Sequence, residues 1–176
     1  MRPDFNTYFM LLAKIASLRS GCNSRPTGAV IVKDKRVIST GYNGSIPGVD
    51  QCVDHGETYC HRRESGAPDI DKYNTCPSIH AEANAINQAA KFGVSVDEAV
   101  MYCTLAPCYI CLKNIKSVGI WKVYYELKYE SDDKERDGLW SNFARIGLDC
   151  EQISIPSNVA AHVYGQLLSE TSYRRL

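Results

Sequence analysis

Residues 79–127, IHAEANAINQAAKFGVSVDEAVMYCTLAPCYICLKNIKSVGIWKVYYEL, decide the class of fold. The alanine-rich residues 79–92 predict a helix, and the apolar residues 99–105 predict a strand. Residues 107–118 predict a second helix, whose first residue is a proline that has no N–H to leave unpaired. Residues 120–126 predict a further strand. Helices that alternate with strands predict an α/β sheet covered by helices on both faces.

The sequence before this stretch extends the same pattern. Residues 4–20 predict an amphipathic helix, because apolar side chains recur at helical spacing and Asp4 can cap it. Residues 28–40, GAVIVKDKRVIST, predict two strands around an Asp-Lys turn. Residues 41–48, GYNGSIPG, predict a turn-rich loop.

The remaining segments are a long insertion and a C-terminal part. Residues 50–78 are rich in Cys, His, Asp, Gly and Pro without a period, and loops of that length are uncommon unless they are functional or cross-linked. Residues 139–146 predict a helix, residues 150–155 a last strand, and residues 158–168 a final helix. Since no repeat or linker interrupts the chain, we expect one α/β domain over residues 1–176.

The composition limits the classes of function. The chain has 176 residues, of which 44% are hydrophobic and 23% charged, as in soluble globular proteins. Lys+Arg 20 balance Asp+Glu 20, so no general positive field holds a polynucleotide, although a local basic patch can hold one phosphate. Neither a signal peptide nor a membrane span is predicted. We expect a cytoplasmic protein, in which eight cysteines point to metal binding or catalysis rather than disulfides.

Two short motifs carry the chemistry: HAE at residues 80–82 and PCYIC at residues 107–111. Both fall at predicted helix N-termini. Two thiolates separated by two residues can bind one tetrahedral ion, and a histidine from a neighbouring helix supplies a third ligand. The fourth position stays open for water, which distinguishes a catalytic zinc site from a closed structural one. His80, Cys108 and Cys111 are therefore the predicted ligands of a catalytic zinc.

Glu82 is the predicted general acid–base. It lies two residues from His80, too close in sequence to be an independent ligand, and it can move protons from the attacking water to the leaving amine. His-x-Glu followed by Pro-Cys-x-x-Cys is a signature of zinc-dependent nucleobase deaminases. Alone, the two cysteines would equally suit a structural zinc half-site or a redox pair, and the His-x-Glu an ordinary helix start. Their conjunction, with the proline and the intervening strand, favours deamination.

The chain resembles the cytidine and deoxycytidylate deaminase superfamily, and within it the deoxycytidylate deaminases. The resemblance rests on GAVIV at residues 28–32, STGYNG at 39–44, HAEANAI at 80–86 and TLAPCYIC at 104–111. The GYNG loop is the narrower signal, since it is typical of the deoxycytidylate and competence-protein branch. The resemblance implies a three-layer α/β/α domain with a central mixed five-stranded sheet. It also implies hydrolysis of dCMP to dUMP and ammonia, which supplies thymidylate synthesis.

The resemblance implies substrate contacts as well. By the family pattern Asn43 hydrogen-bonds the sugar, and Tyr129 matches an aromatic residue near the base. Arg25, before the first predicted strand, is our candidate for the 5′-phosphate. The plain alternatives are a turn asparagine, a tyrosine at a strand end and a solvated loop arginine.

Regulation and assembly are implied only by the family. In it, the loop that here contains Gly41, Gly44 and Ser45 lies where dCTP activates and dTTP inhibits at subunit contacts. The plain alternative is a loop whose glycines permit tight turns. Family members are commonly homohexamers, so we expect a homo-oligomer.

A second, structural zinc is also predicted. Family members often bind one through the end of the first helix, the segment after GYNG and the insertion. Cys22 and Cys52 match those ligands, while Cys60, His61 and Cys76 compete for the remaining places. Such a metal would order an irregular insertion, because ligand binding contributes folding energy directly. The alternative is a set of reduced surface thiols.

Three other functions compete with dCMP deamination: action on dCTP, action on a base flipped out of nucleic acid, and nucleotide binding without catalysis. A flipped base calls for a basic, aromatic-lined channel, which the balanced charge disfavours. A non-catalytic relative would be expected to have lost Glu82 or a zinc ligand, and this chain retains all of them.

Overall fold

The computed structural model describes residues 2–66, 68, 75–128, 145 and 147–168. Its helices are α1 (Phe5–Ser17), α2 (His61–Glu64), α3 (Ala81–Lys91), α4 (Tyr109–Ser117) and α5 (Ser157–Leu168), with a 3-10 turn at Cys52–His55. Its strands are β1 (Gly28–Lys33), β2 (Arg36–Tyr42), β3 (Gly44–Ser45), β4 (Ser78–Ile79), β5 (Val100–Leu105), β6 (Lys122–Leu127) and β7 (Asp149–Gln152).

The five longer strands form one sheet in the order β2-β1-β5-β6-β7, and β3 pairs with β4 in a separate two-stranded sheet. β1 is antiparallel to both of its neighbours, whereas β5, β6 and β7 run parallel. α1 packs on one face of the sheet, and α3 and α4 pack on the other. The prediction of a three-layer α/β/α fold with a mixed five-stranded sheet is confirmed.

The central strand β1 shows how the sequence sets the layers. Ala29 and Ile31 pack in the cluster that contains α3 and α4, while Val30 and Val32 pack in the cluster that contains α1. Successive side chains of a strand point to opposite faces, so an uninterrupted apolar run predicts a strand covered on both. All four of these residues are buried.

Two glycines allow the helices to rest directly on the β1–β2 hairpin. A Cβ at Gly28 would lie 2.0 Å from the carbonyl oxygen of Ala13 in α1. A Cβ at Gly41 would lie 2.2 Å from the carbonyl oxygen of Ala81 and 2.4 Å from the backbone nitrogen of Ala85 in α3. Only glycine permits such a close backbone approach. Gly41 therefore fixes the first turn of α3, which carries Glu82.

The observed elements differ from the predicted ones at several ends. α1 ends at Ser17 rather than near Gly21, because the Gly21 N–H donates to the Asn43 carbonyl (3.1 Å) instead of closing the helix. β2 runs on to Tyr42, which pairs with Gly28, so the predicted loop begins later.

The C-terminal part of the chain was predicted to contain a helix, a strand and a final helix. The predicted helix over residues 139–146 lies almost entirely outside the described residues. The last strand, predicted at residues 150–155, is β7 at Asp149–Gln152, and the final helix is α5. Among the described residues, no helix combines the length and the apolar character that crossing a membrane requires.

Candidate active site

His80 is positioned by the start of α3. It is the N-cap residue, with an extended backbone at φ −68° and ψ 153°, and its carbonyl accepts a hydrogen bond from the Asn84 N–H (2.9 Å). The residue before it, Ile79, pairs with Gly44 across the small β3–β4 sheet. The place where α3 begins is therefore tied to the GYNG segment.

Cys108 and Cys111 are positioned by the start of α4, which follows β5. Cys108 is the N-cap residue, at φ −72° and ψ 167°, and Cys111 lies in the first helical turn. Pro107 thus lies one residue before the N-cap rather than at the first helical position that we predicted, because Cys108 keeps an extended backbone. The Cys108 carbonyl accepts from the Leu112 N–H (2.9 Å), as an N-cap carbonyl does.

The three predicted ligands converge. Nδ1 of His80 lies 3.5 Å from Sγ of Cys108 and 3.4 Å from Sγ of Cys111. In a tetrahedral zinc site with Zn–S of about 2.3 Å and Zn–N of about 2.0–2.1 Å, nitrogen and sulfur lie about 3.5 Å apart. Both the donor types and their spacing therefore fit zinc. Within the described ranges, this is the set of three donor atoms that all lie within 4.8 Å of one another.

The electrostatics of the site favour a metal-binding thiolate. The hydrogen bond from the Cys111 thiol, followed by that from His80, lowers the pKa of the Cys108 thiol. The hydrogen bond with Cys108 in turn raises the pKa of His80. Both cysteines lie at a helix N-terminus, where the backbone N–H groups stabilise negative charge. A thiol with a lowered pKa supplies the thiolate form that ligates metal.

Glu82 lies beside these ligands and is buried, with 4% of the residue exposed. Burial raises the pKa of its carboxyl, and the charge of His80 opposes the rise. A carboxyl whose pKa is moved towards neutral can both accept and return a proton. The arrangement therefore suits Glu82 to proton transfer rather than to coordination.

These groups line one cavity of about 450 Å³, within the range of small-molecule sites. Loop residues 22–27, the insertion, the start of α3 and the start of α4 all contribute to its wall. Arg25 and Asn43, two of the three predicted substrate contacts, line it as well.

The amide of Asn43 is also engaged within the protein. Its Oδ1 accepts from the Ser20 hydroxyl (2.7 Å) and the Thr27 N–H (2.8 Å), and its Nδ2 donates to the Arg25 carbonyl (2.9 Å). Asn43 thus holds the loop that carries Arg25 in place. The turn-residue alternative misses this, because the partners lie 16 or more residues away in the sequence.

The other predicted site residues are placed as follows. Tyr129 lies outside the described residues. Gly41 is buried in β2, and Gly44 and Ser45 form β3. The Ser45 N–H donates to the side chain of Gln51 (2.8 Å), so this segment is fastened to the start of the insertion.

Four cysteines outside the metal site gather near the cavity. The Cys52 thiol interacts electrostatically with the thiols of Cys22, Cys60 and Cys76, and all but Cys52 line the cavity wall. Burial, followed by these neighbouring charges, raises the pKa of Cys52 against a hydrogen bond from the backbone of His61. The ring nitrogens of His61 instead face the Tyr59 hydroxyl (3.2 Å) and the Asp50 carbonyl (2.8 Å).

Sequence reasoning missed several residues of the cavity wall. Arg62, Ser78, Ile110 and Asn114 line the cavity, and none was predicted to do so. Ile110 lies between the two cysteines, and Asn114 lies three residues after Cys111 on α4, so helical spacing could have indicated them. Arg62 lies in the insertion, where no periodicity indicates which way a side chain points.

The sequence and the fold of this chain are similar to those of known proteins. The family model for the cytidine and deoxycytidylate deaminase zinc-binding region matches residues 3–127. The chain therefore belongs to the cytidine and deoxycytidylate deaminase family. Within that family it is similar to deoxycytidylate deaminases.

The extent of this similarity is given by three proteins. A deoxycytidylate deaminase of Schizosaccharomyces pombe is 38% identical over 131 residues, which are 74% of this chain but 39% of the yeast protein. The ComE operon protein 2 of Bacillus subtilis is 38% identical over 158 residues, covering 88% of this chain and 74% of that protein. The crystal structure of dCMP deaminase from cyanophage S-TIM5, in complex with dCMP and dUMP, matches with a TM-score of 0.67 and 28% identity. That match covers 87% of this chain and 99% of the phage chain.

Proposed function

We propose that this protein hydrolyses dCMP to dUMP and ammonia in the cytoplasm, and so supplies dUMP for thymidylate synthesis. The observation that carries the proposal is the convergence of His80, Cys108 and Cys111 beside a buried Glu82, in a cavity that arginines also line. The resemblance to deoxycytidylate deaminases supports the choice of substrate.

In the proposed mechanism, His80, Cys108 and Cys111 hold zinc, which when bound supplies a water activated for attack near neutral pH. The Glu82 carboxylate carries one proton from the attacking water to the ring nitrogen, and then a second proton from the resulting hydroxyl group to the amine, which leaves as ammonia. The burial of Glu82 excludes bulk water from this transfer. Arg25 binds the 5′-phosphate, and Asn43 both holds the Arg25 loop and contacts the sugar. Tyr129 is proposed to lie near the base.

We expect the enzyme to prefer dCMP to deoxycytidine. A charge-assisted contact to phosphate contributes about 1.5–3 kcal/mol, so kcat/KM should differ by roughly 10–150-fold for each such contact. Arg25→Ala should remove much of this preference, whereas Arg19→Ala, an exposed arginine of the preceding segment, should keep it. Equal kcat/KM values for the two compounds in the wild type would contradict phosphate recognition.

The same assay decides between the competing functions. Ammonia release is measured from dCMP, dCTP, deoxycytidine, cytosine and a single-stranded oligonucleotide, each with the zinc content determined. A higher kcat/KM for dCTP or for the oligonucleotide would replace the proposed substrate, and zinc binding without any turnover would favour a non-catalytic relative.

We also propose a homohexamer in which dCTP activates and dTTP inhibits through the segment containing Gly41, Gly44 and Ser45. A monomeric mass by light scattering, or rates that neither nucleotide changes, would overturn that part.

We propose a second, structural zinc bound by Cys22, Cys52, Cys60 and Cys76. Four thiols without a carboxylate form the soft donor set that selects zinc, and the Cys52 thiol interacts electrostatically with the other three. In the described chain no three of these sulfur atoms lie within 4.8 Å of one another, so the proposed ion would draw them closer together. His61 is the less suitable candidate, because both of its ring nitrogens have other partners. Such an ion would join the end of the α1 segment to the insertion.

Metal analysis tests this second site. We expect about two zinc ions per chain in the wild type, and about one in Cys52→Ser, with a lower melting temperature because metal binding contributes to folding. Cys150→Ser, which changes a partly buried cysteine of β7, should keep both ions. One ion per chain in carefully purified wild-type protein would refute the site.

A further inference from the structure

A second arginine lines the candidate active site. Arg62 belongs to α2, in the insertion, and it lines the same cavity as Arg25, His80 and Glu82. Among the described lining residues, Glu82 is the one acidic side chain, and it is buried next to the metal ligands. Arg25 and Arg62 are the two described lining residues that carry a permanent positive charge, and a guanidinium group can bind a phosphate through two hydrogen bonds.

The insertion is fastened to the loop that carries Arg25. Nδ2 of Asn23 donates to the carbonyls of Cys52 (3.1 Å), Gly56 (2.7 Å) and Tyr59 (3.1 Å). One amide group thereby gathers three backbone oxygens of the insertion around residue 23. Since loop residues 22–27 also line the cavity, the insertion forms a fixed part of the cavity wall.

Two neighbouring side chains of α2, Arg62 and Arg63, have different roles. Nη2 of Arg63 donates to the Ser24 hydroxyl (2.8 Å), which ties α2 to the residue next to Arg25. Consecutive residues of a helix point about 100° apart, so Arg62 and Arg63 project in different directions. Arg63 holds the helix against the loop, and Arg62 lines the cavity. The N-cap residue of α2, Cys60, is buried and lines the cavity too.

We propose that Arg62 is a substrate-binding residue that the insertion supplies to the active site, where it and Arg25 bind the 5′-phosphate from two sides. This inference rests on the proposed function, because it assigns the residue that recognises the phosphate of the same substrate. It gives the insertion a role in specificity. Asn23 and Arg63 are positioning residues, since they hold α2 against the Arg25 loop.

Kinetics of Arg62→Ala and Arg62→Lys test the proposal. For Arg62→Ala we expect KM for dCMP to rise roughly 10–100-fold, with little change in kcat, because a charge-assisted contact to substrate is lost. Arg62→Lys should recover part of the affinity, since it keeps the charge but not the two-pronged geometry. The kcat/KM for deoxycytidine, which has no phosphate, should be nearly unchanged. Arg36→Ala, an exposed arginine at the start of β2, is the matched control and should change neither substrate.

Binding of dUMP by calorimetry separates this inference from the proposed function. Zinc content and melting temperature near those of the wild type show that each variant is folded. If the wild type binds dUMP and Arg62→Ala binds it at least about 10-fold more weakly, the assignment holds even where dCMP proves not to be the substrate. Unchanged dUMP binding and unchanged KM for dCMP in a folded Arg62→Ala protein overturn it. So does a wild type that binds neither nucleotide, or an equal loss for dCMP and deoxycytidine.

Discussion

Glu82→Ala should reduce kcat for dCMP deamination by about 10²–10⁴-fold or more while the protein keeps its catalytic zinc. The residue is 4% exposed, its carboxyl interacts with His80 and Cys111, and it is the one acidic side chain among the described residues that line the cavity. Since the proposed mechanism assigns several proton transfers per turnover to Glu82, the loss is expected at the upper end of that range. Steady-state rates and the metal content of the same sample provide the measurement.

Two further variants test whether the loss of activity in Glu82→Ala comes from the missing proton carrier. Glu82→Gln keeps the shape of the side chain but cannot carry a proton, so it should be nearly as inactive as the alanine variant. Glu126→Gln removes the charge of the ion pair with Lys14, outside the lining of the cavity, and should stay near wild-type activity. A Glu82→Ala protein that retains zinc and turns over at close to the wild-type rate would contradict a role for Glu82 in proton transfer.

Cys108→Ser should lose the catalytic zinc and the activity together. Cys108 lies 3.5 Å from Nδ1 of His80, and hydrogen bonds from Cys111 and His80 lower the pKa of its thiol, which favours the thiolate that binds zinc. A serine hydroxyl is a poor zinc ligand at neutral pH, and without the activated water turnover should fall by about 10³-fold or more. Zinc per chain, melting temperature and ammonia release are measured on the same preparation.

The control for this variant is Cys103→Ala, which removes a fully buried thiol of β5 that belongs to the core and not to the metal set. It should lower stability by creating a small cavity but leave the zinc content unchanged. Comparison with Cys52→Ser adds a second test, because that variant should lose an ion without losing the catalytic one. A Cys108→Ser protein with full zinc occupancy would show that another residue completes the site.

The order of the five longer strands and of α1, α3, α4 and α5 was predictable because local pattern alone indicates it, whereas β3, β4 and the short α2 were not predicted. β1, with apolar and mostly β-branched residues at every position from 29 to 32, favoured a strand buried on both faces. The turn between β1 and β2 was also predictable from the sequence. In the structure, Asp34 and Lys35 have positive φ values of 50° and 59°, as the central residues of a two-residue hairpin turn do. Element ends were less predictable, because partners distant in the sequence decide them, as the Gly21–Asn43 hydrogen bond decides the end of α1.

By itself, the sequence determined the chemical groups of the candidate metal site. A histidine and two cysteines at helix N-termini, with a glutamate two residues after the histidine, define donors and a proton carrier whatever lies around them. Only the tertiary structure decided what surrounds that centre. The positions of Arg62 and of the thiols near Cys52 depend on Asn23, whose amide binds three carbonyls of the insertion. Such contacts join backbone groups far apart in the chain and leave no periodic trace in the sequence, so the wall of the cavity becomes visible only when the chain is folded.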